Sequence, residues 1–194
     1  KLDAWQPPHP VYRELKQLTR EREQLIEERT LCKNQLHAEE SGAWPNVGSV
    51  KRIKQRIKLL NKQMEDIDEE IKIIVEKNDW LKKKLEYVCS IKGIALISAV
   101  IIVAETNGFN LVRNKKQLVS YAGLDVVEKE SGISVKGKTR ISRKGNKYLR
   151  KALHFPALVA IRHNEQMKAV YRRLVSKHGI KMKAAVAVQK KMLE

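Results

Sequence analysis

The chain has 194 residues, 42% of them apolar and 32% charged, with a formal net charge of +18. That length and apolar content exclude a disordered tail and fit one cored domain, or a small domain with an extended element. Five per cent aromatic residues favour helices packed by Leu, Ile, Val and Ala over a β-sandwich.

The charge is unevenly distributed. Residues 1–88 hold 18 Lys and Arg against 16 Asp and Glu, while residues 89–194 hold 22 against 6, a net of +16. Self-repulsion on that scale calls for a partner of opposite charge, and polyphosphate is the commonest. Two cysteines, Cys32 and Cys89, make neither a disulfide framework nor a zinc site and read as reduced thiols of a cytoplasmic protein. The longest apolar run, residues 94–104, is far short of the ~20 needed to span a bilayer, and no signal-peptide pattern precedes it. Lys1 is not preceded by Met and the helical pattern still runs at Glu194, so we expect a piece of a larger protein.

Residues 1–10 read as an extended linker, with Pro7, Pro8 and Pro10 delaying helix until Val11. From 11 to 40 a charged helix places Leu15, Leu18, Leu25, Cys32 and Leu36 near a 3.5-residue period, interrupted by Arg22 and Arg29. Residues 41–48 are a loop by their Gly and Pro content. Val50, Ile53, Ile57, Leu60, Met64, Ile67, Ile71, Ile74, Asn78, Leu81, Leu85 and Val88 then alternate at spacings of three and four. This seam exceeds five heptads and predicts an unbroken coiled-coil helix roughly 55–60 Å long. Asn78, its lone polar member, is either a register-fixing residue or a polar group tolerated near a fraying end. The two helices should fold back as an antiparallel hairpin over 11–88. Leu59, Ile73 and Val75 lie off the seam, so self-association through the arm is expected.

After Val88 the period changes. Residues 94–106 predict a buried helix closed by Asn107-Gly108, and Asn114 caps a helix over 115–122 that Gly123 stops. Residues 124–145 are irregular or hairpin-like, with 126–127 and 133–135 as short strands. A helix over 147–163 contains Pro156, where a kink is expected. Helices over 165–178, stopped by Gly179, and from 181 onward complete an all-α reading, with a short β-hairpin near 124–142. The basic helical domain is thus 89–194.

Two stretches could carry chemistry. Ser90-Ile91-Lys92-Gly93-Ile94-Ala95 is similar to the turn of helix-hairpin-helix modules, where glycines let N–H groups approach a phosphate; the usual second Gly is Ala95 here. Phosphate contact by Lys92 and Gly93 and a plain interhelical turn both fit. The second stretch, 131–150, has Lys136, Lys138, Arg140, Arg143, Lys144, Lys147 and Arg150 among Gly, Ser and Asn146, without an acid. A solvated surface usually mixes signs, and basic groups among Gly and Ser suit close approach to phosphate oxygens. His9, His37, His154, His163 and His178 show no ligand spacing, so no metal site is expected in this chain. Trp5, Trp44 and Trp80 read as packing residues of the arm.

The run SYAGLDVVEKESGISVKGKTRISRKGNKYLRKAL, followed by YRRLVSKHGIKMKAAVAV, resembles the C-terminal domain of the insertion-sequence one-ten type transposases. These are also called DEDD transposases, and Piv-type site-specific invertases are relatives. The likeness rests on ordered motifs (A-G-L, S-G, I-S-x-x-G-N and L-R-x-A-L) and covers 89–194, with the arm fitting the segment that precedes that domain. It implies DNA cutting and rejoining through a catalytic serine, which the S-G motif assigns to Ser131. It also implies a RuvC-like domain, missing here, that holds Mg²⁺ with four acidic residues, and guidance by a structured RNA. From composition alone Ser131 is a turn residue before Gly132, with Ser134 and Ser142 as weaker rivals. A hydroxyl needs a base or metal to take its proton, and none lies near Ser131 in sequence. The leading alternative is a non-catalytic nucleic-acid-binding module with a dimerising arm; a purely structural adaptor leaves the +16 unexplained.

Overall fold

The computed structural model describes residues 7–127, 130–131, 135–136 and 140–194. The described residues are all-α apart from short β-ladders, and they divide into two compact units, residues 14–82 and residues 83–194 with the start of the chain.

The 14–82 unit is a helical hairpin. Helix α1 spans Pro10–Glu40 and α2 spans Val47–Glu76. Helix begins at Pro10, one residue before the sequence suggests, because proline lacks only an N–H that the first turn leaves unbonded anyway. Asn46 starts α2 by accepting a hydrogen bond from the Ser49 N–H at 2.9 Å, so Val47 and Gly48 belong to the helix and the loop is shorter than predicted. Arg22 reaches Asp68 with two nitrogens, at 2.6 and 3.1 Å, and Arg29 reaches Asn61 at 3.1 Å. Seven residues forward on α1 thus answer seven back on α2, which is one heptad of antiparallel pairing. The arginines that interrupt the α1 seam are therefore the polar clasps of the hairpin. Leu18, Leu25 and Cys32 face inward from α1, and Ile53, Leu60, Met64, Ile67, Ile71 and Ile74 from α2. Of the three apolar residues off the seam, Leu59 and Ile73 are exposed, whereas Val75 is buried.

The seam is not one helix. α2 ends at Glu76, and α3 starts afresh at Asp79 and runs to Cys89. At the joint the Lys77 N–H donates to the Ile73 carbonyl, and the Asn78 side-chain amide donates to the Ile74 carbonyl at 2.8 Å. The Asn78 carbonyl then accepts from Leu81 and Lys82. Asn78 therefore bonds within its own stretch of sequence. It marks where the helix restarts, a role that neither a register-fixing residue nor a fraying end describes.

The second unit is built around α6, Lys147–His163. It packs against α4 (Leu96–Glu105), α7 (Glu165–His178) and α8 (Lys181–Met192). Leu149, Leu153, Ala157 and Ala160 of α6 meet a core that also holds Val100, Val103, Ala184 and Val188. Pro156 is buried inside the helix, and Gly93 lies against it: a Cβ on Gly93 would sit 2.6 Å from the Pro156 carbonyl oxygen. With φ of +104°, Gly93 is required by both conformation and space. α5, Lys115–Tyr121, is capped by Asn114 and followed by Gly123 at φ +67°, as the sequence predicts. Tyr12 joins this unit: Lys84 Nζ donates to its hydroxyl at 3.1 Å and to the Gly108 carbonyl at 3.2 Å.

The described residues within 124–145 form two short antiparallel ladders, called the hairpin below. β1 (Val126–Val127) pairs antiparallel with β4 (Arg140–Ile141), and β2 (Glu130–Ser131) with β3 (Val135–Lys136). Glu130 is three positions past Val127 but Arg140 is four past Lys136, so the register shifts by one between the ladders. The expected strand at 126–127 is present. Of the expected 133–135 strand, Val135 is paired and the rest lies outside the described residues.

Candidate nucleic-acid site

The foot of the hairpin is stitched together residue by residue. The Ser142 N–H donates to the Asp125 carbonyl, the Arg143 N–H to Gly123 and the Asn146 N–H to Tyr121, at 2.9, 3.1 and 2.6 Å. Arg143 adopts φ of +56° to follow this path. Gly145 crosses so close to α5 that a Cβ there would collide with the Tyr121 carbonyl oxygen and the Gly123 nitrogen. Arg150 closes the seam from α6, with Nη1 donating to the Ala122 and Gly145 carbonyls at 2.8 and 3.1 Å.

Behind the foot lies a fully buried carboxylate. Glu105 ends α4 with no exposed surface. Its Oε2 accepts from the Asn146 side-chain amide at 2.7 Å, and its backbone carbonyl accepts from the Tyr121 hydroxyl at 3.1 Å. Asn146 meanwhile uses its side-chain oxygen to accept from the Tyr148 and Leu149 N–H groups, capping α6. The G-N motif is thereby explained: glycine for clearance, asparagine to cap a helix and satisfy a buried acid at once.

Between the foot, α5 and the segment 110–113 opens a cleft of about 980 Å³. Arg113 and Lys144 line it, as do Leu111, Ser120 and Tyr121. Among its described lining residues the one carboxylate is Asp125, which accepts a hydrogen bond from the Ser142 hydroxyl at 2.7 Å. Ser142 is thus a structural partner of Asp125.

The residues singled out by sequence differ in where the structure places them. Arg140 in β4, Arg143 and Lys144 in the foot and Lys147 at the start of α6 are exposed, and Lys147 Nζ stands 5.0 Å from the Tyr148 ring centre. Asn146 and Arg150 are half-buried and committed to the internal bonds above. Lys92 is exposed in the turn before α4, whereas Gly93 is half-buried against α6. Ser131 pairs with Val135, and Lys136 lies in the adjacent pair opposite Glu130. Lys138 lies outside the described residues. Cys32 and Cys89 are free thiols, and burial pushes that of Cys89 above its ordinary range. Among the described residues no group of three or more His, Cys, Asp or Glu side chains is placed to hold a metal ion. No helix among them is long and apolar enough to cross a membrane.

Residues 85–172 match the model of the transposase IS116/IS110/IS902 family. This segment is similar to transposases of that family. It runs from the end of α3 into α7 and so contains the cleft, the hairpin and α6. The pilin gene-inverting protein of Moraxella lacunata is 27% identical over 131 residues, which are 66% of this chain and 40% of that protein. The chain therefore spans about two fifths of the length of this relative. Both findings support the transposase and recombinase class.

Sequence reasoning missed Glu105, Asp125 and Tyr121. For Glu105 there was a signal: it is the only charged residue between Lys92 and Arg113, at the end of an apolar helix where a charge survives burial only with partners. The cleft left no such trace, because it is assembled from three separate stretches of chain.

Proposed function

We propose that this chain is part of a DNA transposase or recombinase, that residues 89–194 bind nucleic acid, and that Ser131 is the nucleophile for strand cleavage and rejoining. The observation that carries the reading is the position of Ser131. The serine of the S-G motif belongs to a paired ladder of a hairpin whose foot is fixed to a packed helical core and carries the exposed Arg143 and Lys144. In the proposed step Ser131 Oγ attacks a backbone phosphorus, an Oγ–P bond forms, the bond from phosphorus to one deoxyribose oxygen breaks, and the hydroxyl proton passes to a base. Rejoining reverses the exchange with a new deoxyribose hydroxyl as attacker. Charge builds on the phosphoryl oxygens. Lys136 is next to the Ser131–Val135 pair in the ladder, and Arg140, Arg143 and Lys144 serve neighbouring phosphates.

The reading extends to a metal-dependent RuvC-like domain outside this chain, to a structured guide RNA and to self-association through the helical hairpin, where Leu31, Leu59 and Ile73 are exposed. The deciding experiment uses the longer protein that carries the nuclease domain. Ser131→Ala should abolish cleavage and the denaturation-resistant protein–DNA adduct, while nucleic-acid binding stays within about twofold, since removing one hydroxyl from a short ladder costs little stability. Ser134→Ala and Ser142→Ala should retain the adduct. Cleavage by Ser131→Ala near the wild-type rate would leave the chain as a nucleic-acid-binding module with a dimerising arm.

A further inference from the structure

The cleft beside the hairpin foot has more shape than phosphate binding needs. A duplex backbone is convex and charged, and exposed lysines and arginines on a flat surface suffice to hold it. Here an open concavity of about 980 Å³ sits between α5 and the foot, wide enough to admit a nucleotide from solvent. Its walls are chemically divided. Arg113 and Lys144 supply positive charge, while Leu111 and Val112 supply an apolar strip, Leu111 with 48% of its surface exposed. Tyr121 lines the cleft with its hydroxyl already engaged by the Glu105 carbonyl, so its ring is held in place. Asn146 is held from behind by the buried Glu105 carboxylate. Two lining residues are thus anchored to one fully buried residue, which makes this wall rigid before any ligand arrives. Asp125, the one acid among the described lining residues, is hydrogen-bonded to Ser142.

Cations beside an apolar strip and an aromatic edge match the two halves of a nucleotide, an anionic phosphate and a flat base. A base stacked inside a duplex cannot present its face to such a strip, whereas an unpaired base can. We propose that this cleft takes one unpaired nucleotide of the bound nucleic acid, its phosphate toward Lys144 and Arg113 and its base against Leu111, Val112 and Tyr121. This rests on the nucleic-acid-binding reading above and adds to it a preference for a strand with an extruded base.

The test is a fluorescence-anisotropy titration of this chain with three labelled DNAs: a fully paired duplex, the same duplex with one extra unpaired thymidine, and the same duplex with that extra position abasic. The unpaired thymidine should bind on the order of tenfold tighter than the other two. Leu111→Ser and Ser120→Leu are uncharged changes at exposed positions of the cleft, the first removing the apolar strip and the second filling the space. Each should erase that preference and leave the paired duplex within about twofold. Equal binding of all three DNAs overturns the base site and leaves nucleic-acid binding standing. Equal tightening by the thymidine and the abasic position overturns it too, since a bend would then be what is recognised. A preference unchanged in both variants moves the site elsewhere and overturns the assignment. Binding of none of the three overturns both readings together.

Discussion

Gly145 shows how little room the hairpin foot leaves. Its φ lies outside the left-handed region, so conformation does not demand glycine here; space does. The atoms a Cβ would meet are backbone atoms of Tyr121 and Gly123, which cannot step aside as the end of a flexible side chain could. Gly145→Ala should therefore destabilise the second unit by about 1–3 kcal/mol, as overpacking of a closed interior does. Thermal melting followed by circular dichroism would show it. Gly179 offers the matched control, because nothing lies within 4 Å of a Cβ built there. At that position an alanine costs only the strain of the left-handed φ of +68°.

Among the elements, the two asparagine caps of α6 and α7 separate a local role from a global one. Asn164 accepts from the Gln166 and Met167 N–H groups and caps α7. Asn164→Ala should cost about 1 kcal/mol, the usual value of a cap. Asn146 caps α6 in the same way but also donates to the buried Glu105 carboxylate. Asn146→Ala removes the cap and takes a donor from an acid with no access to water, so about 2–4 kcal/mol is expected. Urea denaturation of the two variants would compare them directly. A loss no larger at Asn146 than at Asn164 would mean that the Glu105 bond contributes nothing to stability. The caps were legible in sequence where a short polar residue precedes a helical pattern and a glycine follows it: Asn114 with Gly123, and Gly179 after α7. The break at residues 77–78 was not. Hydrophobic periodicity records which side chains face inward, and the seam keeps its spacing through the joint while the backbone bonds restart. Arg22 and Arg29 were visible as interruptions of a stripe. Only Asp68 and Asn61, 46 and 32 residues away in sequence, show what they are for. The foot of the hairpin was legible as chemistry, a basic tract with Gly and Asn. Which of its polar groups face solvent and which are consumed by the fold depends on long-range pairings that no local pattern encodes.

At the scale of the whole chain the excess charge is the dominant quantity. Each phosphate neutralised on duplex DNA contributes about −0.9 to the slope of log K against log salt concentration. Arg140, Arg143 and Lys144 stand around the foot, so replacing all three with Ala should flatten the slope by about 0.9 for every phosphate left without its cation. Arg150 is bound to two carbonyls, and Arg150→Ala should lower stability more than it changes the slope. Filter-binding titrations from low to moderate salt measure both. An unchanged slope in the triple variant would place the phosphate-binding surface elsewhere, with the exposed Arg172, Arg173 and Lys177 of α7 next to be tested.

Helix α7 has a consequence of its own. It is fourteen residues long with a polar cap at one end and a left-handed glycine at the other, yet none of its residues is buried. Full burial of side chains is what makes the opening of a segment as costly as unfolding the whole molecule, and the inner face of α7 is only half-buried. Its amide hydrogens should exchange with solvent deuterium well before those of α4 or α6, through excursions that leave the core intact. A polyanion laid along its arginines would slow that exchange, so isotope uptake in this one helix can report occupancy of the surface without any label on the ligand.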